Sequence, residues 1–368
     1  MKILAINSSP RKNRVSYTEM VMNLTIKGLR EGGAEVDVVH LRDKKVKDCI
    51  GCFSCWTKTP GVCSLKDDMS KEIYPKWVAA DLVIYATPLY HFLMTASMKR
   101  VIERTLPVAT PTVAAQDGKS YHPLRHEHPS LMFISVAGFP DMWVFNELSN
   151  YGKNTFGDTY AGEIFMVSPT ATQYPIFKDK TAEIFEAIIQ GGRELAESKK
   201  ITPETMESIH QLIGPQELVS SMFNLLSSSC IAEGVIPYEM DKKGIIPRAR
   251  DIEEFLVFMQ TKFEPDAFKE AKTLQFSFTG EHNGSCHLTI KDRKVTVGMG
   301  DAESPDFSLE SPFDLWMDVM TKKADGVEMI KGGKCTLKGD ESEFIDIMEK
   351  VFNWKKAIIS QIQPEGLV

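Results

Sequence analysis

Short apolar runs alternate with amphipathic helical patterns through the first two hundred residues. The runs are Ile3 to Ile6, Val36 to Leu41, Leu82 to Ala86, Leu131 to Val136 and Glu163 to Val167, and several are continuously apolar. A strand that is apolar on both faces must be covered on both, the condition of a parallel sheet with helices above and below. The helices are equally legible. Ser16 with Glu19 forms a capping-box pattern, Met20 and Leu24 share a face, and Gly32-Gly33 ends the segment. A longer helix is predicted from about Thr181 to Glu197, with Ile184, Phe185, Ile188 and Ile189 as its buried stripe. Alternation of this kind predicts a doubly wound α/β domain over residues 1–200.

The rhythm then changes twice. Residues 201–271 read as a helical connector broken by Pro203, Pro215, Pro237 and Pro247, with no chemistry of its own. Residues 272–368 place strands first and helices after, which predicts a smaller, separate α+β domain. A chain of 368 residues is too long for one ordinary core, and 43% apolar with 25% charged residues is a globular composition. The net charge of −7 argues against nucleic acid as a partner, since that binding needs clustered cations. No apolar run approaches a membrane span. Met1 to Ile6 reads as a buried first strand and not an export signal, so a reducing, cytoplasmic setting is expected. Seven cysteines in that setting point to metal or redox chemistry before disulfides.

Three loops are expected on one edge of the first sheet. Asn7 to Ser16 joins the first strand to the first helix, where a doubly wound sheet binds phosphate. The hydroxyls of Ser8, Ser9 and Ser16, the Asn13 amide and the Arg11 guanidinium are groups that can surround a phosphate dianion. A merely polar loop with a good helix cap is the plainer reading. Thr87-Pro88-Leu89-Tyr90-His91 follows the third strand, with Pro88 for rigidity and Tyr90 for stacking on a planar ring. Ala137-Gly138-Phe139-Pro140 would complete such a site. Cys49, Cys52, Cys55 and Cys63 form C-x2-C-x2-C-x7-C on the loop after the second strand. Closely spaced thiolates with a more distant fourth suit an iron–sulfur cluster. Zinc and a relic loop without metal are the alternatives, although three crowded ligands differ from the usual paired zinc knuckles.

Ser8-Ser9-Pro10-Arg11, the Cys-rich loop ending Lys66-Asp67-Asp68-Met69, and Thr87-Pro88-Leu89-Tyr90 through Lys99 resemble the NAD(P)H-dependent FMN reductase superfamily. The nearest branch is that of the iron–sulfur flavoproteins. Over about two hundred residues the resemblance implies a flavodoxin-like fold with FMN held at residues 8–18, including Tyr17 and Thr18, at Pro88, Leu89, Tyr90 and His91, and at Ala137 and Gly138. It implies a [4Fe–4S] cluster on the four cysteines, and electrons from NAD(P)H or a ferredoxin-like donor passed to a small acceptor. In such proteins the flavin carries the chemistry, so no catalytic triad is expected. Homo-oligomers are implied as well.

Phe278-Thr279-Gly280, Cys286 to Ile290, Pro305 to Leu309 and Gly333 to Asp340 resemble the sterol carrier protein 2 domain, over about the last ninety-five residues. That implies a small sheet and helices around an apolar tunnel, with an apolar ligand as a possible partner. Met317, Met320, Met329 and Met348 suit an adaptable cavity or an ordinary helix-face core equally well. An apolar-ligand-binding protein whose flavodoxin-like part is regulatory or structural is therefore the alternative function. Cys230, Cys286 and Cys335 are expected in the core. His122, His126 and His128, beside Pro123 and Pro129, are expected in a solvated loop.

Overall fold

The computed structural model describes residues 1–12, 15–267 and 270–352, with Asp241 described by its backbone alone. Asn13 and the residues after 352 lie outside the described residues. The described chain divides into two compact units, one of residues 1–170 and 182–212, the other of residues 171–181 and 213–352.

In the first unit, β1 (Lys2–Asn7) leads to α1 (Tyr17–Glu31) and β2 (Glu35–His40). A long loop reaches a π turn at Met69–Ile73 and α2 (Tyr74–Ala79), then β3 (Leu82–Pro88) and α3 (Ala96–Glu103). A small hairpin of β4 (Ala114–Gln116) and β5 (Lys119–Tyr121) precedes β6 (Ser130–Ala137), α4 (Asn146–Phe156) and β7 (Tyr160–Val167). The helices α5 (Lys178–Ser198) and α6 (Pro203–Ile209) follow. The sheet is wholly parallel in the order β2-β1-β3-β6-β7. This is the flavodoxin-like order, in which the chain reverses its direction of growth between β1 and β3.

The expected apolar runs occupy the centre. Every residue of β1 after Lys2 is buried, as are Leu82 to Thr87 in β3 and Leu131 to Ala137 in β6. One face gathers Leu4, Ile6, Val83, Tyr85 and Phe133 against Trp77, Met98, Val101 and Phe145. Trp77 is buried with its indole N–H donated to the Tyr85 hydroxyl at 2.8 Å, so both of these buried polar groups are paired. At the β7 edge, the Phe165 backbone N–H donates to His210 Nε2 at 3.3 Å, and burial lowers the pKa of that imidazole, keeping it an acceptor.

Helices α1 and α5 approach so closely that side chains are excluded between them. A Cβ at Gly28 would stand 1.9 Å from the Ile189 carbonyl oxygen, and one at Gly192 would stand 2.4 Å from the Thr25 carbonyl oxygen. This contact sets the position of α1, and with it the loop at its N-terminus.

In the second unit, α7 (Gln216–Glu233), α8 (Pro237–Lys242) and α9 (Ile252–Lys262) precede β8 (Lys272–Thr279), β9 (Gly284–Lys291), β10 (Lys294–Met299) and β11 (Phe307–Pro312). Then come α10 (Phe313–Met320), α11 (Gly326–Lys331), β12 (Thr336–Lys338) and α12 (Glu341–Lys350). The sheet order is β10-β9-β8-β11-β12, with β8 and β11 parallel and the other pairs antiparallel. Phe255, Phe258 and Met259 of α9 belong to the same core as Phe276, Leu288, Trp316 and Phe344. The core of this unit therefore draws on residues well upstream of β8. Cys286 and Cys335 are buried in it, as expected, and Cys230 packs with Leu226 and Met240.

Replacing Gly28 by Ala tests the close helix crossing. Helix propensity favours Ala over Gly by about 1 kcal/mol, but here the new methyl meets backbone that cannot move aside. Overpacking of this kind costs roughly 1–3 kcal/mol or more, so Gly28→Ala should lower the urea midpoint of the chain. An unchanged or raised midpoint would show that α1 and α5 separate freely.

Candidate functional site

The ends of β1, β3 and β6 stand level, since Asn7 pairs with Ala86 and Pro88 with Val136 in the ladder. Three loops therefore leave one sheet edge side by side. The first two are also each bonded to the end of the neighbouring strand. Ser8 donates both its backbone N–H, at 2.9 Å, and its hydroxyl, at 3.3 Å, to the Ala86 carbonyl, and the Leu89 N–H donates to the Val136 carbonyl at 3.0 Å.

In the first loop, Ser9 N–H donates to Asn7 Oδ1 at 2.9 Å, which turns the chain sharply after β1. Ser16 caps α1 by accepting the Glu19 N–H at 3.2 Å, and its hydroxyl donates to Ser9 Oγ at 2.8 Å. Ser9 Oγ thus accepts one hydrogen bond and keeps its own O–H free to donate. Ser8, Ser9, Ser16 and Thr18 are almost wholly buried, Tyr17 is half-buried and Arg11 is exposed. Sequence reading did not find Arg42, whose guanidinium ties this loop by donating to the Arg11 carbonyl at 3.0 Å and to Glu19 at 2.9 Å. The expected Asn13 contact lies outside the described residues.

The second loop holds an unexpected turn. Tyr90 and Leu93 exchange two backbone hydrogen bonds, at 2.9 and 3.0 Å, around His91 at φ 48° and Phe92 at φ 63°. Such a turn is ordinarily built from Asn-Gly, because both central residues take the left-handed region. For Phe92 this is a strained backbone. Thr87 Oγ1 holds the far side by accepting the Thr95 N–H at 3.0 Å, and Thr95 in turn caps α3. Tyr90 is 51% exposed, so its ring is available for stacking, and Phe92 stacks on Trp143 with centroids 5.5 Å apart. In the third loop Ala137 is buried, Gly138 is exposed with open space at its Cα, and Ser168 ties back the Ala137 and Phe139 carbonyls.

The four expected cysteines line one narrow cleft with about 20 Å³ of free space, closed on one side by Arg104, Leu106 and Pro107. Cys55 is buried, Cys49 and Cys63 are half-buried and Cys52 is exposed. Hydrogen bonds from Ser54 and Ser64 lower the Cys52 thiol to about 7, whereas burial and then the charge of Cys63 raise Cys55. Among the described residues, no three of His, Cys, Asp and Glu are gathered as ligands of a single metal ion. The three loop histidines do not converge either. His122 bonds the Thr112 carbonyl, and His128 packs on Trp77 with ring centroids 4.7 Å apart.

Two polar atoms beside the cleft are buried and unsatisfied, Arg104 Nε and the Tyr74 hydroxyl. Cys63 stands next to the first and Cys55 next to the second, where burial and the Cys55 charge push the phenol up to about 12. A thiol accepts hydrogen bonds poorly; a thiolate ligand carries the charge that would satisfy both donors. The donor set therefore fits a thiolate-ligated group.

The stem of the cysteine loop is clamped from α3. Arg104 donates to Asp67 Oδ2 at 2.7 Å, Asp67 Oδ1 at 3.1 Å and the Lys47 carbonyl at 2.7 Å, with both charged side chains at most 2% exposed. One turn earlier, Arg100 donates to the Val46 carbonyl and to Asp48. This pair was missed from sequence, although two arginines four apart just after the Pro88–His91 loop were the available signal.

A flavodoxin-like unit with a serine-rich loop at its switch point, followed by a unit with a mixed sheet and an apolar core, is the class these features define. Residues 1–140 match the family described as NADPH-dependent FMN reductase, and residues 264–352 match the SCP-2 sterol transfer family, so both expected resemblances hold. An iron–sulfur flavoprotein of Archaeoglobus fulgidus is 37% identical over 121 residues, 33% of this chain and 53% of that protein. One from Methanocaldococcus jannaschii is 29% identical over 159 residues, 43% of this chain and 78% of that protein. The chain spans about half the length of the Archaeoglobus relatives. Among solved structures, an FMN-dependent NADH-azoreductase from Bacillus anthracis in complex with FMN is 19% identical, with a TM-score of 0.41 over 53% of this chain and 99% of that one. Among the described residues no helix is long and apolar enough to cross a membrane.

The Arg104–Asp67 pair gives a pH signature. Burial raises the Asp67 carboxyl, but the hydrogen bonds from Arg104, Lys47 and Ser70 outweigh it and hold its pKa at about 2. A carboxyl depressed by folding contributes stability that is present above about pH 4 and lost as pH falls toward 2. Arg104→Leu, which strands the buried carboxylate, should cost about 3–5 kcal/mol at neutral pH. In Arg104→Leu the acid loss between pH 4 and 2 should flatten. Denaturant titrations at pH 7, 4 and 2.5 measure both effects, and an Arg104→Leu chain as stable as the parent at pH 7 would exclude the clamp.

Proposed function

We propose that the chain is an FMN-dependent oxidoreductase of the iron–sulfur flavoprotein type, taking electrons from NAD(P)H or a ferredoxin-like protein and passing them to a small acceptor such as a quinone. The observation that carries this reading is the meeting of the Ser8–Ser16 loop with the Pro88–His91 loop at the β1/β3 switch point. When bound, FMN supplies hydride acceptance and exchange of one or two electrons, and a [4Fe–4S] cluster supplies one-electron transfer.

The chain's own residues do the positioning. Ser9 would donate a hydrogen bond from its hydroxyl to the phosphate, Ser16 orients Ser9, and the N-terminal end of α1 would add favourable potential for the dianion. Arg11 adds a cation at the mouth. Tyr90 offers an exposed ring for stacking, and Ala137 and Gly138 leave space for a flat group. Cys49, Cys52, Cys55 and Cys63 would hold the cluster, with Arg104 Nε and the Tyr74 hydroxyl donating toward the ligands. The cleft these four line is narrow, with Cys52 its exposed member. This reading brings with it the implied homo-oligomer, for which Phe139 and Trp143, each more than half exposed, are candidate covered surface.

One observation favours a second reading. The unit matching the sterol transfer family holds a cavity of about 420 Å³ among α10, α11 and α12, within the range of small-molecule sites. If the chain is chiefly an apolar-ligand binder, the first unit is regulatory or structural. A protein isolated folded but colourless, with no affinity for added FMN, would favour it.

Denatured protein should release FMN and not FAD. Ser9→Ala should weaken FMN binding by about 1.5–3 kcal/mol, the worth of a hydrogen bond to a charged group, and Arg11→Ala should act in the same direction. Fluorescence titration of the apoprotein measures this. FAD in the supernatant, or unchanged FMN affinity in both variants, would refute the phosphate site.

Anaerobically prepared protein should contain iron and sulfide. Cys52→Ser should lose them with the broad visible absorbance, because a hydroxyl is a poor ligand for iron in a thiolate site, while FMN stays bound. Zinc, or no metal, in the parent protein would leave a plain flavin reductase with a relic loop.

A further inference from the structure

We propose that His40, in its neutral form, is a positioning residue of the loop after β1: it holds Asn7, and through Asn7 the turn that presents Ser9, so that protons compete with FMN for the site. The inference rests on the FMN reading of this loop and adds to it the residue that sets its pH dependence.

Asn7 and His40 are register partners at the ends of β1 and β2, and Asn7 is wholly buried. Asn7 Oδ1 accepts the Ser9 N–H at 2.9 Å, which leaves the amide nitrogen facing His40 Nδ1 at 3.3 Å. An amide nitrogen only donates, so Nδ1 must be bare to accept, and the ring proton sits on Nε2. A proton on Nδ1 would set one donor against another. Asn7 must then turn its amide over and break the Ser9 bond, or keep a buried donor unpaired. Either way the turn that places Ser9 beside the Ser16 cap is loosened.

The charges around the ring do not favour that proton. Glu19 of α1 stands 3.9 Å from Nε2, but its carboxylate is already held by Arg42 at 2.9 Å, and Asp43 is shared between Arg42 and Lys12. Burial, and next the charge of Arg42, lower the His40 pKa against the opposing pull of Glu19 and Asp43. His40 is therefore neutral above neutrality and takes up its second proton only on acidification. An imidazolium there would attract a phosphate dianion, but its side chain is 28% exposed, where such attraction is weak, and it could not restore the turn. Affinity for FMN should accordingly fall, not rise, as pH is lowered.

Two variants separate the roles. His40→Asn keeps an acceptor bonded to Cγ, where Nδ1 stands, and cannot be protonated; His40→Leu removes the acceptor. Fluorescence titration of the flavin-free full-length chain uses FMN and riboflavin, which has no phosphate, at about pH 7.5 and 5. At the higher pH, His40→Asn should bind FMN within about twofold of the parent, and His40→Leu about three- to tenfold more weakly, the worth of one neutral hydrogen bond. At the lower pH the parent should lose about three- to tenfold relative to His40→Asn. Proton uptake by the phosphate itself, at about pH 6, cancels from that comparison. Riboflavin affinity should be nearly the same in all three proteins. FMN bound alike by the three, with one common pH profile, would overturn the inference and leave the FMN reading intact. Equal losses of FMN and riboflavin would overturn it too, as the mark of a merely structural role. The nitrogen-15 shifts of the parent His40 ring decide the matter even if neither variant folds: a bare Nδ1 at the higher pH supports the relay, and a protonated one excludes it. A parent chain that binds neither flavin would remove the FMN reading itself, and this inference with it.

Discussion

The buried pair of Arg104 and Asp67 is the constraint on which the candidate site depends. Two charges taken almost wholly out of water cost several kcal/mol each unless their hydrogen bonds are met. Here the carboxylate receives two guanidinium N–H groups and the Lys47 and Ser70 backbone N–H groups, and the guanidinium also reaches the Lys47 carbonyl. The contacts bring residue 47 and residue 67 to the same point, and so close the stem of the loop that carries all four cysteines. A loop of that length without secondary structure of its own would otherwise sample many shapes, at an entropy cost for each thiol gathered. The ion pair meets that cost before any cofactor arrives.

Its second consequence runs along α3. This helix begins at Thr95, which is bonded to Thr87 at the end of β3, and ends in Arg104, which grips the cysteine stem. The two loops are thus fixed to opposite ends of one short rigid element packed on the sheet by Met98, Val101 and Ile102. The link runs through covalent connection, the Thr87–Thr95 hydrogen bond and one ion pair.

What the sequence disclosed was what short-range chemistry decides. The capping box at Ser16 and Glu19, the unbroken apolar strands and the C-x2-C-x2-C run all depend on residues close together in the chain, and each stands in the structure where expected. The features that escaped depend on pairs far apart. Arg104 and Asp67 are 37 residues from each other, and Arg42 and the Arg11 carbonyl 31. Nothing in the local pattern of an arginine announces a partner at that distance. The share of α9 in the second core escaped for the same reason. Its apolar positions were visible, but proline punctuation suggested a connector, and only the packing of Phe255 on Phe276 and Phe278 reveals the layer it joins.

The His91–Phe92 turn shows why local rules fail at this kind of site. Two non-glycine residues in the left-handed region cost of order 1–3 kcal/mol each, and Asn-Gly would form the same turn without strain. The strained pair is held by the two Tyr90–Leu93 hydrogen bonds, by the Leu89–Val136 bond and by the stack of Phe92 on Trp143. Glycine would relieve the backbone but would also forfeit that stack and the side chain of His91. It would enlarge the conformational freedom of the loop in the unfolded chain as well. Strain that surrounding contacts enforce keeps a loop in one shape, and a loop in one shape receives a flat ring with less ordering left to do. The backbone energy spent at this turn therefore goes into one fixed loop shape at the sheet edge, held by a stack that a relaxed Asn-Gly turn would not make.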